Sequence, residues 1–166
     1  MFKSLAVANE FIEISLDRQK PVTPMKLLKL VYFAHGWHLG LYGSPLINEQ
    51  VEAWKYGPVV ESIYYEVRSY GTNSITSLIS RTDFATMETT VPRVDGSTSG
   101  GIRAISLIER VWDLYSPYSG IKLSNMTHQP GSPWFKIWKP MESNPIKGTN
   151  IPIETIKEHF AALANG

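Results

Sequence analysis

The sequence predicts a mainly α fold with a small β element (α+β), six or seven helices plus a short strand pair or hairpin. Three observations carry this. Apolar residues recur at three- and four-residue spacing in several separate segments, as on the buried face of a helix. Cap and stop residues such as Thr23-Pro24, Gly43 and Ser132-Pro133 bracket those segments. The β-leaning stretches are few and short.

The elements follow in order. Leu5, Ala8, Phe11, Ile12, Ser15 and Leu16 form the inner stripe of a first helix ending near Arg18. Asn9, Glu10, Glu13 and Asp17 are assigned to its outer side. A second helix starts with Thr23 as N-cap and Pro24 at its first position, and stops at Gly43. Its polar residues Lys26, Lys29, Tyr32, His35 and His38 recur every third position and so drift around the helix. No fixed solvent face results, which predicts a central helix buried on most sides. A short strand is expected over Val51 to Trp54, with Gly57-Pro58 as a stop and Pro58 opening a third helix. Val60, Ile63, Tyr64, Val67 and Tyr70 line that helix, and Gly71 ends it.

From Thr72 to Arg103 the pattern is irregular. A short strand or hairpin is expected there, then a flexible loop over Asp95 to Gly101. Ile105, Ile108, Val111, Trp112 and Tyr115 define a fourth stripe. A short helix follows over IKLSNMTHQ, then another that Ser132 caps, Pro133 starts and Pro140 ends. Ile153, Ile156, Phe160 and Leu163 mark the last helix. There is no internal repeat, and residues 1–166 are expected to form a single domain.

Composition narrows the function. The 166 residues are 43% hydrophobic, enough for a real core. Sixteen Lys and Arg balance fifteen Asp and Glu, so no bulk charge drives binding to nucleic acid or an anionic membrane. With no cysteine, thiolate metal sites and a Cys nucleophile are excluded. Acidic residues interrupt the N-terminal stretch, and no apolar window approaches a membrane span, so a cytoplasmic protein is expected.

The chemistry-bearing residues read as structural. His35 and His38 lie three apart on one helix, a usable ligand spacing, but no acid or third ligand accompanies them. Thr127 and His128 are sequence neighbours, which on a helix point about 100° apart and do not make a nucleophile–base pair. Phosphate-binding glycine motifs are absent. Glu49, Glu52 and Glu61 are spaced as solvated charges. No catalytic residue, metal or cofactor is expected. Trp37, Trp54, Tyr56, Tyr64, Trp112, Trp134 and Trp138 are many aromatics for this length, and an exposed cluster among them would point to a protein partner.

Four motifs in order resemble one known family. The first is T-P-x-K-L-x-K-L-x-Y-F, carried by Lys26, Leu27, Lys29, Leu30, Tyr32 and Phe33. The second is W-x-x-G-P-V-x-x-x-x-Y, carried by Trp54, Gly57, Pro58, Val59 and Tyr64. The third is T-H-x-x-x-x-P-W, carried by Thr127, His128, Pro133 and Trp134, and the fourth is a final helix with Phe160. The pattern is similar to the Panacea domain, also called SocA-like or phage-associated GepA-like, from about Leu5 to Leu163.

The resemblance implies an antitoxin that neutralises a cognate toxin, encoded by an adjacent gene, through direct protein contact. One branch of the family instead delivers its toxin to a AAA+ protease, and many members lie in prophages, which implies an interaction protein of phage–host conflict as a further alternative. A homo-oligomer is compatible with it; membrane and nucleic-acid partners are not expected. Lys29, His35, Trp54, Tyr56 and Tyr64 are the toxin-binding candidates. Lys26, Gly57, Pro58, Thr127, His128, Pro133 and Trp134 are read as structural, with Pro130-Gly131 as a turn and His128 bonded to a nearby carbonyl or carboxylate. Lys26 and Lys29 are given two options, pairing with Glu10 or Glu13, or facing a partner.

Overall fold

Helix α2, Pro24–Tyr42, is the axis around which the rest is built. Thr23 caps it through its hydroxyl, which accepts from the Lys26 amide, and Gly43 closes it in the left-handed region. Leu27, Leu30, Val31 and Ala34 are fully buried along it. In this computed structural model, which describes residues 1–166, helices α1 (Ser4–Asp17), α4 (Ser99–Tyr115), α5 (Gly120–Thr127) and α7 (Ile153–Asn165) all pack on α2. The expected mainly α fold with a small β element is the observed one, with seven α-helices and two antiparallel strand pairs.

The tightest approach is between α2 and α7. A Cβ on Gly40 would lie 2.6 Å from the backbone carbon of Phe160 and 2.8 Å from the amide nitrogen of Ala161. Only glycine lets the two backbones come this close. Phe160 is buried by this contact and meets Trp37 and Tyr32 edge to face, at 5.3 and 5.8 Å between centroids.

The first strand pair is β1 (Glu52–Trp54) with β2 (Gly57–Val59), in the register Glu52↔Val59, Ala53↔Pro58, Trp54↔Gly57. Pro58 therefore lies in a strand, not at a helix start. The Ala53 amide donates outward to the Thr149 carbonyl, 2.9 Å, so Ala53 and Pro58 exchange no ladder bond and the missing proline N–H is not needed there. Helix α3 begins later, at Glu61, and runs to Val67; a 3₁₀ turn, Arg68–Tyr70, continues it to Gly71.

The irregular region does form a hairpin, β3 (Arg81–Asp83) with β4 (Glu88–Thr90), exposed throughout. The connections either side of it wrap over α1 and overturn the assignment of that helix's outer side. Asn9 and Glu10 are buried. The Asn9 amide donates to the Ile79 and Pro92 carbonyls and accepts from the Ile79 amide, all within 2.9 Å. Glu10 accepts from the Arg93 guanidinium and from the Val94 amide, and Glu13 also pairs with Arg93. Both carboxylates are thus taken by Arg93, and neither meets Lys26 or Lys29.

Two further boundaries move. Asp95 to Gly101 is not all loop: the Thr98 hydroxyl accepts from the Gly101 amide and starts α4 at Ser99. Helix α6, Pro133–Met141, ends one residue beyond Pro140.

Candidate functional site

The β1–β2 hairpin turns on only two residues, Lys55 and Tyr56, so its tip needs outside support. That support comes from three helices. The Trp134 indole N–H, from α6, donates to the Trp54 carbonyl at 2.7 Å. The Ser124 hydroxyl, from α5, donates to the Tyr56 carbonyl at 2.7 Å. The Lys29 ammonium, from α2, donates to the Pro58 carbonyl at 3.2 Å. Every second carbonyl of the turn is anchored, each by a different helix.

Gly57 is the point where these anchors meet. Its φ is +112°, and a Cβ there would fall 2.6 Å from Lys29 Cε and 2.8 Å from Thr127 Oγ1. Both its conformation and its surroundings exclude a side chain. Thr127 and Ser132 fix the supporting corner. The Thr127 hydroxyl donates to the Ser124 carbonyl, 2.6 Å, and the Ser132 hydroxyl donates to the Thr127 carbonyl, 2.6 Å. Ser132 also caps α6 by accepting from the Phe135 amide, with Pro133 at the first helical position.

His128 does not make the expected hydrogen bond. Its Nε2 is buried without a partner, although the Tyr56 carbonyl lies near the ring. The imidazole instead stacks on Trp134, 3.8 Å between centroids at 12°. Burial, and then the nearby Lys29 charge, lower its pKa, so a neutral ring covers the indole face.

Lys29 is 1% exposed, and burial drives its pKa down to about 7. It forms the floor of a groove of about 470 Å³ whose walls include Met25, Trp54, Tyr56 and Tyr64. Trp54 and Tyr64 meet edge to face at 4.8 Å, and the Trp54 indole N–H donates to Glu52, 2.7 Å. Tyr56 is 59% exposed and stands at the tip. Four of the five binding candidates, Lys29, Trp54, Tyr56 and Tyr64, are therefore brought together.

His35 is elsewhere and buried. Its Nδ1 accepts from the Ile47 amide at 3.4 Å, and burial followed by His38 lowers its pKa to about 4. His38 donates through Nδ1 to the Ser44 carbonyl, 2.7 Å. The pair holds the 44–47 loop against α2, and no group of three or more potential ligands includes it. Lys26 reaches the Ser116 carbonyl at 2.6 Å and ties α2 to the end of α4.

A family described as antitoxin SocA-like, Panacea domain, matches residues 27–135, a range that takes in Lys29, the hairpin and the Thr127–Trp134 corner. The chain belongs to the Panacea family. The chain is also 31% identical over 158 residues to Antitoxin SocA of Caulobacter vibrioides (strain NA1000 / CB15N), an overlap of 93% of this chain and 80% of that one. No solved structure matches it. Panacea membership supports an antitoxin role, implies a toxin as partner in general, and points to a regulatory protein more than to an enzyme. No helix is long and apolar enough to cross a membrane.

Three features of the site were not legible in the sequence. The anchoring of alternate carbonyls depends on contacts across 68 to 80 residues for Ser124 and Trp134. The partnership of Gly57 with Lys29 joins two motifs whose order was visible and whose contact was not. Arg68, which lies over the Tyr65 ring at 4.8 Å and lines the same groove, carried no signal beyond its charge.

Proposed function

We propose that this Panacea protein, acting as one unit over residues 1–166 in the cytoplasm, neutralises a cognate toxin by binding it directly at the β1–β2 turn and its groove. The observation that carries the reading is the anchored hairpin. Three helices hold its carbonyls while Tyr56, Trp54 and Tyr64 present aromatic surface. Rigid aromatic anchors beside a concave site are the usual energetic centre of a protein interface, because little conformational entropy is lost on binding. The neighbouring Thr127–Trp134 segment has a supporting role: it holds the turn from behind. Neither His128 nor the His35/His38 pair needs to act chemically for this to work.

The test is co-expression with the protein encoded by the adjacent gene. Toxicity of that protein alone, its suppression by this chain, and co-purification of the two support direct neutralisation. Tyr56→Asp is expected to abolish both suppression and co-purification while leaving the fold intact, since the side chain is exposed. Suppression without a complex, and only in cells that retain a AAA+ protease, would replace sequestration by delivery for degradation.

A further inference from the structure

The groove is chemically one-sided. Its lining contains two exposed cations, Lys55 and Arg68, above the buried Lys29, and no carboxylate. A second, shallower groove of about 240 Å³ lies across the same hairpin and shares Trp54 and Lys55 with the first. Its walls add Lys147 and Ile146, which is 67% exposed, and again contain no carboxylate. The whole chain, by contrast, carries nearly equal numbers of both signs.

None of Lys55, Arg68 and Lys147 is in an ion pair. Lys55 and Arg68 lean on tyrosine rings instead, at 5.4 Å over Tyr56 and 4.8 Å over Tyr65. The carboxylate nearest in sequence to the turn, Glu52, is held by the Trp54 indole N–H. Unpaired cations of one sign along an apolar cleft create a field that a partner of opposite charge completes.

We infer that the two grooves astride the Trp54–Tyr56 turn receive an acidic segment of a partner protein, with an apolar or aromatic anchor seated between Trp54 and Tyr64 and flanking Asp or Glu residues facing Lys55, Arg68 and Lys147. This rests on the proposed use of the groove for toxin binding and adds the chemistry of the bound segment. A single-stranded nucleic acid would also find cations and aromatic rings here. It is disfavoured because three exposed cations around one turn make no track for a backbone and the chain as a whole carries only +1.

The probe is a displayed library of random peptides about a dozen residues long, selected on the full chain, with a fluorescein-labelled oligo-uridine as a second ligand. The expected result is enrichment of peptides with one large apolar residue flanked by Asp or Glu. Their affinity should fall on the order of tenfold in Lys55→Glu/Arg68→Glu, less in Lys55→Gln/Arg68→Gln, and with rising salt. Both residues sit on the surface, and unchanged thermal melting confirms folding of the variants. The inference is overturned if no acidic bias emerges, if the acidic peptides bind Lys55→Glu/Arg68→Glu equally well, or if the oligonucleotide binds in their place. Toxin co-purification separates the two levels. Loss of toxin binding in Tyr56→Asp but not in the charge-reversed variant removes the acidic segment and keeps the docking site. Acidic peptides held by the groove while the toxin ignores both variants remove the docking reading instead.

Discussion

Replacing Lys29 with methionine should flatten the dependence of stability on pH. Lys29 is buried, and its pKa falls from 10.5 to about 7 on folding because its charged form loses water. Between those values the unfolded chain binds the extra proton, so stability rises with pH across the window and is lowest below it. One proton of difference gives a slope of about 1.4 kcal/mol per pH unit, half that at pH 7 where the folded lysine is half-titrated. The gain from pH 7 to pH 9 integrates to about 2 kcal/mol. Lys29→Met keeps most of the volume and removes the titration. It also strips the Pro58 carbonyl of its donor, a cost of about 1–3 kcal/mol that does not vary with pH. Urea unfolding followed by tryptophan fluorescence at pH 7 and pH 9 reads both effects. The wild-type midpoint should rise with pH relative to that of the variant. Equal pH dependence of the two proteins would refute a buried, depressed lysine at this position.

Other perturbations probe separate parts of the fold. His35→Asn, which keeps an acceptor for the Ile47 amide, should abolish an acid-side loss of about 2 kcal/mol between pH 7.5 and pH 5. The folded His35 pKa near 4 means that only the unfolded chain takes up the proton there, so stability drops as the pH is lowered; urea midpoints at the two pH values measure it. Gly40→Ala forces a methyl into the α7 backbone and should cost about 2 kcal/mol or more despite better helix propensity, lowering Tm by roughly 4–8 °C in a thermal melt. Trp134→Phe removes the donor to the Trp54 carbonyl and part of the His128 stack. A loss of about 2 kcal/mol is expected, with faster hydrogen exchange at the Ala53 amide, which donates to the Thr149 carbonyl, by mass spectrometry.

Much of the helical frame was legible because caps are local chemistry. Thr23-Pro24 and Ser132-Pro133 each combine a hydroxyl acceptor with a preset φ, and each starts a helix where expected. The drift of polar residues along α2 correctly indicated a helix enclosed on most sides, and Lys29 and His35 are buried with it. Pro58 misled for the same local reason: it reads as a helix start, yet the distant Thr149 carbonyl takes the Ala53 amide and frees the opposite position to lack an N–H. Asn9 and Glu10 misled because polar residues are assigned to water by default, whereas the 79–94 segment brings them complete sets of partners from about 70 to 84 residues away. The groove was legible as a list of motif residues. Its geometry was not, because it arises where α2, the hairpin and α3 meet.

The most direct test of the docking site is the binding of the purified toxin to wild type and to Tyr56→Asp, side by side with matched thermal melts, by calorimetry. Docking at the β1–β2 turn predicts a stable wild-type complex and a loss of at least about tenfold in affinity for Tyr56→Asp at unchanged Tm. Equal affinity of the two proteins for the toxin would contradict it.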